Sequence, residues 1–460
     1  MFSNIGSKIK SLKSDWCFKA DKTGIFNEKN GLFYDTIKSN IQLFFGVYMN
    51  LKERTIFHID VNSAYLSWEA LECLKKGNTV DLRTVPSIVA GDPSKRHGIV
   101  LAKSIPAKKY GIVTGEPVFQ AIKKCPDLVM VPPSHDVYAR QSQAMTDLLL
   151  RYTPDIEKFS IDECFIDITG LKLIYGSDSI RLAHKIKNNI RDELGFTVNV
   201  GISENKLLAK MASDFEKPDK VHTLFQDEIR EKMWPLPVSK LYMVGKASLA
   251  KLNMMGIKTI GDLANTRADI LEQQLKKYGR MIWEYANGID DSPVKSSESE
   301  AKDLSNETTV SFDITDRETA RLYILSLSET VGTRLRKAGL YAGVVAVHIK
   351  NSSFKSYSRQ KKLNRPTQDT NIIFSTAASL FDQVWKREPI RLIGVATSQL
   401  EKEPSLQIDM FEAVSPGKKE GAKLNESIDR IREKYGSEYI VRGSLLNFNK
   451  NHKRNKKNNV

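Results

Sequence analysis

The sequence predicts an α+β protein of several domains. Three observations carry this reading. At 460 residues the chain is longer than one hydrophobic core usually serves. Its middle, Ser134 to Asp214, reads helix, hairpin, helix, strand, helix. Its later part, Thr308 to Leu400, reads strand, helix, strand, strand, helix, strand. Both stretches mix strands and helices within one unit.

The N-terminal residues 1–48 differ from the rest. They mix Lys, Asn and Ser with isolated aromatics, show no sustained period, and carry no apolar core with a small-residue cleavage site. Met49 lies eleven residues before Asp60. The segment reads as an appendage or as the product of an upstream start. From Thr55, "TIFHIDVNSAYLSWEA" begins as a strand that delivers Asp60, and "AYLSWEALECL" continues with helical spacing. The turns "GDPS" and the Pro-rich breaks that follow predict a small domain of short strands and helices. From Leu236 to Gly288 the character changes. "VSKLYMVGKASLAKLNMMGIKTIGDLANT" holds two glycine turns between helical segments, where backbone N–H groups can approach a phosphate closely. Asp290 to Asp303 is Ser-rich and charged and reads as an exposed linker. In the later part, "RETARLYILSLSETVGTRLRKAGL" has helical spacing and "YAGVVAVHIK" alternates like a strand. Residues 421–434 form a short amphipathic pattern on Leu424, Ile428 and Ile431, and a basic tail ends the chain.

Composition narrows the function. The chain is 41% hydrophobic and 27% charged, as soluble domains are. It lacks an apolar run of about 18 residues, so no membrane span is expected. Cys17, Cys73, Cys125 and Cys164 form no C-x-x-C pair, which argues against disulfides and structural zinc and for reduced thiols, with the cytoplasm as the expected location. A net charge of +15 points to a polyanionic partner. Between Val331 and Arg365 there are nine Lys or Arg and no Asp or Glu, the pattern of a phosphate-binding surface.

The chemistry centres on "EKFSIDECFIDITG", Glu157 to Gly170. Neighbours on a regular strand point to opposite faces. Asp162 and Glu163 reach one point only at a turn or strand end, which "IEKF" and "CFIDI" provide if they pair around "SIDE". Together with Asp60 these carboxylates would repel one another unless cations sit between them, and hard oxygen ligands suit Mg²⁺. Read alone, each acid could equally be a solvated strand-end residue.

"FHIDVNSAYLSWE", "SIDECFIDITG" and "VNVGISENKLLAKMAS" resemble three signatures of the Y-family (DinB/UmuC-like) translesion DNA polymerases, in the family's order and at about its spacing. The match runs from roughly Thr55 to Leu446. The resemblance implies a right-hand polymerase. Its parts would be an appendage over 1–52, a palm over 53–63 and 134–214, small fingers over 64–133, and a helix-hairpin-helix thumb over 215–288. A linker over 289–305, a βαββαβ little finger over 306–402 and a tail over 403–460 would follow.

It further implies primer-template DNA and dNTPs as substrates and two Mg²⁺ ions held by Asp60, Asp162, Glu163 and the Val61 carbonyl. Lys108 and Lys206 match positions that contact the triphosphate. Ile105 stands where many members carry Tyr, and Ser104 is the candidate replacement hydroxyl. Tyr65, five residues after Asp60, matches the aromatic that excludes a ribose 2′-hydroxyl. Gly245 and Gly256, and the basic residues Lys350, Lys355, Arg359, Lys361 and Lys362, would meet DNA. Gln407, Ile408, Asp409, Met410 and Phe411 resemble the bacterial sliding-clamp-binding pentapeptide, usually Gln-Leu-Ser/Asp-Leu-Phe, with Ile408 and Met410 as conservative departures. No grouping of acids resembles an exonuclease, so the resemblance implies a distributive, low-fidelity monomeric enzyme.

Two other classes compete. A palm-type nucleotidyl cyclase also uses paired acids, yet leaves the glycine turns, the basic window and the pentapeptide unexplained. A DNA- and clamp-binding scaffold with a dead site is disfavoured by the presence of all three acids.

Overall fold

The computed structural model describes residues 54–92, 98–171, 174, 176, 178–296, 300–402, 417–436 and 439–446. The pentapeptide 407–411 and the N-terminal residues 1–53 lie outside the described residues.

A five-stranded sheet of order β5-β6-β1-β7-β8 carries the acids. Its centre is β1 (Ile56–Val61), buried at every position. Antiparallel neighbours flank it, β6 (Glu163–Asp167) on one side and β7 (Val198–Ser203) on the other, with β5 (Ile156–Lys158) beyond β6. The alternation of β1 sorts its side chains. Phe57, Ile59 and Val61 enter a core with α4 (His135–Leu149) and α5 (Ser179–Asn189). Ile56, His58 and Asp60 face the other way, toward α6 (Lys206–Ser213). A Cβ on Gly201 of β7 would lie 2.0 Å from the Ala209 carbonyl oxygen, so glycine is what lets α6 lie this close to the sheet. The sheet also reaches past the boundary expected at residue 214. Strand β8 (Val221–Thr223) pairs parallel to β7, because the chain returns beside it after α6.

Helix α1 (Ala64–Lys75), expected in the small fingers, serves two cores. Ala64 and Trp68 pack into the central core beside Tyr138 and Phe196, while Leu66 and Ala70 pack against Leu82 and Val89. Residues four apart share a helix face, so two apolar pairs give two faces. The small sheet has order β3-β2-β4, from β2 (Ser87–Ala90), β3 (Val100–Lys103) and β4 (Val129–Val131). Helices α2 (Ile105–Lys109) and α3 (Val118–Lys124) cover its core of Ile88, Val100, Ala107, Val118 and Ala121.

The helical unit holds α7 (Lys246–Met254), α8 (Ile260–Asn265), α9 (Ala268–Leu275) and α10 (Lys277–Ala286). Thr259 and Asp262 close a reciprocal cap at the start of α8. Gly245 precedes α7, no side chain caps that end, Gly245, Lys246 and Ala247 are exposed, and a Cβ on Gly245 would meet nothing within 4 Å. Gly256, at φ 78°, ends the same helix, a conformation that costs other residues strain.

The stretch expected as an exposed linker is largely exposed where described, and its first part is tied to the central sheet. The Asp290 carboxylate accepts from the Leu207 N–H at 3.1 Å, the Lys295 N–H donates to Glu157 at 2.8 Å, and Val294 packs on Ile56 and Phe165. The last sheet has order β11-β10-β12-β9, from β9 (Asp303–Ile314), β10 (Tyr341–Asn351), β11 (Ser356–Thr367) and β12 (Ile390–Glu401). Strand β9 therefore starts inside the expected linker. Helices α11 (Arg317–Ala338) and α12 (Thr370–Val384) cover one face of this sheet. A further helix, α13 (Gly417–Tyr435), lies against α11, where Asp429 accepts from Thr333 and Arg336.

Candidate active site

Three acids arrive at one end of the central sheet by pairing alone. Asp60 stands opposite Glu163 in the β1–β6 register, and the Val61 N–H donates to the Asp162 carbonyl at 3.0 Å. Asp162 lies in the turn, not on the strand, which frees it from the alternation that would send it away from Glu163. The Ser160 hydroxyl organises that turn. It donates to Asp162 Oδ1 at 2.6 Å and accepts from the Glu163 N–H at 3.0 Å.

The acids line a cleft of about 690 Å³ between the central and the small sheet. Val61, Tyr65, Ser104, Lys108, Lys103, Arg83 and Lys217 line it too. The same cleft is thus lined by three acids and four cationic side chains. Asp60 is only 7% exposed. Burial, offset only in part by Lys217 and reinforced by Glu163 and Asp214, pushes its carboxyl up to about 7. Such a carboxylate gains from a nearby cation, and the all-oxygen donor set of Asp60, Asp162, Glu163 and the Val61 carbonyl suits a hard divalent ion. In this arrangement each acid keeps its own protein partner. Asp60 has Lys217 at 2.7 Å, Glu163 has Lys210 at 2.8 Å, and Asp162 has Ser160. Among the described residues no three His, Cys, Asp or Glu side chains converge on one point. The neighbouring Cys164 is buried, and burial pushes its thiol up to about 12, which leaves it inert as a nucleophile.

Tyr65 stacks on Tyr138, with centroids 4.4 Å apart and planes 9° from parallel. The Tyr138 hydroxyl donates to Glu69 at 2.6 Å and accepts from the Ser134 N–H, so the lower ring is held and the upper one with it. Ser63, which begins α1, adopts a left-handed conformation at φ 49° and also borders the cleft.

Two expected site residues sit differently. Ser104 is 2% exposed and its hydroxyl is already committed. It donates to the Val85 carbonyl at 2.7 Å and accepts from the Ala107 and Ser87 N–H groups. It caps α2 and has no proton left for a phosphate. Lys206 is outside the cleft. Its ammonium binds both oxygens of Glu157 at 2.7 and 2.8 Å and lies over the Phe165 ring.

The lysines that do reach the acids are Lys210, one helical turn further on, and Lys217, beyond the end of α6. Sequence reasoning missed both. The four-residue spacing of Lys206 and Lys210 and the run "DFEKPDK" were the available signals.

The basic residues of the four-stranded sheet do not share one face. Arg359 and Lys361 stand opposite the buried Val347 and Val345, on the helix-covered side of the edge strand β11. Lys362 and Lys350 belong to the open side, and Lys355 to the turn between β10 and β11. Arg336, counted in the basic window, points inward to Asp429, Thr370 and the Gln368 carbonyl.

A sheet with acids at one end, a small α/β unit across the cleft, a helical unit and a four-stranded sheet with two covering helices form the architecture of a right-hand polymerase. Residues 59–214 match the impB/mucB/samB family, residues 301–410 its C-terminal domain, and residues 240–290 the thumb domain of DNA polymerase-iota. DNA polymerase IV of Clostridium acetobutylicum is 51% identical over 393 residues, covering 85% of this chain and 98% of that protein. DNA polymerase IV 2 of Bacillus subtilis is 36% identical, covering 86% of this chain and 95% of that protein. A Y-family DNA polymerase chimera, Dbh-Dpo4(243-245)-Dbh, shares the fold at a TM-score of 0.67 and 21% identity, over 76% of this chain and 100% of that one. The chain belongs to the Y-family translesion DNA polymerases, among the DinB-like members to which the DNA polymerase IV proteins also belong. The family works with divalent metal ions, and no helix among the described residues is long and apolar enough to cross a membrane.

Proposed function

We propose that the cleft joins dNTPs to a primer 3′ end opposite damaged template bases, with Asp60, Asp162 and Glu163 as catalytic carboxylates. The observation that carries this is the pairing of Asp60 with Glu163 beside the Asp162 turn, inside a cleft that also presents Tyr65, Lys108 and Lys217. Two Mg²⁺ ions, when bound, would supply Lewis acidity to the attacking hydroxyl and the leaving phosphate oxygens. Asp60, Asp162, Glu163 and the Val61 carbonyl would hold them. Lys108, Lys103 and Lys217 would neutralise the triphosphate, Lys217 turning from Asp60 once other cations compensate that carboxylate. Tyr65, backed by Tyr138, would exclude the ribose 2′-hydroxyl. The N–H groups at the exposed Gly245 turn, and Lys350 and Lys362 on the open side of the four-stranded sheet with Lys355 at its turn, would hold the duplex by its phosphates. Primer extension on undamaged and damaged templates, with Mg²⁺ or with a chelator, tests the proposal. Products that pass the lesion only with metal support it; no extension by pure, folded protein contradicts it.

The enzyme works in this reading as a cytoplasmic monomer tethered to a bacterial sliding clamp through Gln407, Ile408, Asp409, Met410 and Phe411. Tethering raises the effective concentration of a weak DNA binder. The support is the sequence of the pentapeptide and its place between β12 and α13. Calorimetry with purified clamp should show binding that Met410→Ala with Phe411→Ala removes, while clamp-free extension is kept.

A further inference from the structure

We propose that Tyr242, in the helical unit, is a positioning residue for the Glu163 carboxylate, acting through Lys210. This rests on the assignment of Glu163 as a metal-holding carboxylate. Lys210 stands in the middle of α6, only 9% exposed, with its ammonium 2.8 Å from Glu163 Oε2. A single carboxylate oxygen does not satisfy three N–H donors in a nearly dry site. Two aromatic faces do the rest. The ammonium lies 5.1 Å from the centroid of Phe159 and 5.6 Å from that of Tyr242.

The two rings come from separate units. Phe159 directly precedes the turn that carries Asp162 and packs edge-on to Phe165. Tyr242 directly precedes Met243, Val244 and Gly245, the turn whose open N–H groups lead into α7. That turn is itself held, since the Tyr278 hydroxyl donates to the Met243 carbonyl at 2.9 Å and Tyr242 lies near-parallel to Tyr285 at 6.2 Å. Phe159 and Tyr242 also meet each other, with centroids 6.3 Å apart. The chain of contacts therefore runs from the turn at Gly245, through Tyr242 and Lys210, to Glu163.

Glu163 is a long side chain whose oxygens would otherwise sample several rotamers. With Oε2 tied to a caged ammonium, Oε1 keeps one direction. If the helical unit shifts, Tyr242 leaves the ammonium and that direction is lost. The cage makes the metal-holding geometry depend on where the helical unit sits, which DNA bound at Gly245 would decide.

The test uses the full chain and Mn²⁺ as the probe, with free ion counted by electron paramagnetic resonance so that no turnover is needed. Tyr242→Leu keeps apolar volume and removes the ring. It should weaken Mn²⁺ binding, and raise the Mg²⁺ concentration for half-maximal extension, by roughly tenfold, as losing a group that orients a metal ligand does. Phe159→Leu, which removes the other ring from outside the helical unit, should repeat both shifts. Tyr242→Phe should restore wild-type values. Unchanged Mn²⁺ binding in the two leucine variants overturns the proposal, as does a Tyr242→Leu protein that loses only DNA affinity and melting temperature, the mark of plain packing. Asp60→Asn serves as a separate control. If it binds Mn²⁺ as wild type does, the assignment of the metal-holding acids fails, and the proposal with it.

Discussion

The ammonium of Lys217 lies 2.7 Å from Asp60 Oδ2 and equally 2.7 Å from Asp214 Oδ1, so one cation bridges the central acid of the cleft and the end of α6. Burial works against that ammonium, and Asp60 and Asp214 more than offset it, holding it above its ordinary value. Lys217 therefore holds its proton more firmly than a free lysine does. Lys206, eleven positions earlier, is equally cationic in the sequence and faces Glu157 outside the cleft.

This contrast makes the first prediction. Lys217→Met should raise the KM for dNTP by roughly tenfold or more, the range for losing a hydrogen bond from a charged donor. Lys206→Met should leave that KM within about twofold of wild type. Single-nucleotide incorporation kinetics on an undamaged template measure both. A larger effect at Lys206 than at Lys217 would contradict the geometry of the cleft.

A second prediction concerns the ring of Tyr65. Because it is stacked on a tyrosine held by Glu69 and Ser134, it cannot swing aside to admit an extra hydroxyl. Tyr65→Ala should cut discrimination against ribonucleotides by roughly tenfold or more, with dNTP use largely kept. Competition between labelled dNTP and NTP reads the ratio directly. An unchanged ratio would assign selectivity to another side chain.

Much of this was legible in the sequence, for identifiable reasons. Period-two alternation exposed the strands, and the placement of Asp162 followed from the rule that strand neighbours diverge. The glycine turns around α7 were visible as glycines. What escaped was three-dimensional assignment of chemically equivalent residues. A lysine at the start of a helix looks the same whether it meets Glu157 or a phosphate, and only the packing of α6 on the sheet separates Lys206 from Lys210 and Lys217. Ser104 looked like a free hydroxyl because nothing in its neighbours reveals that Val85 and Ser87 fold back onto it. The two-faced packing of α1 left domain edges blurred. Strand β9 was read short because "DLSNETT" carries few apolar residues, its pairing with β12 supplying what its own composition lacks.

The third prediction addresses α13. Asp429 accepts from Thr333 at 3.0 Å and from Arg336, whose side chain is nearly buried. Nearby, Arg432 and Arg442 both reach Glu329, and Leu445 is 2% exposed. Asp429→Asn leaves Arg336 without its anion. It should cost about 1–3 kcal/mol in the unfolding of the four-stranded-sheet unit, read as a lower urea midpoint, with clamp-free extension unchanged. An unaltered midpoint would mean that α13 rests on the unit without bracing it.

In the proposed function the acids at the end of β1 and β6 perform the chemistry while other surfaces hold the DNA. The most direct measurement compares Asp162→Asn with wild type on one primer-template, in single-turnover extension and in equilibrium DNA binding. Extension should fall by at least about a thousandfold, as befits loss of a group that acts in the transition state, with the DNA dissociation constant within about threefold. Extension within about tenfold of wild type, in a folded variant that binds DNA normally, would contradict it.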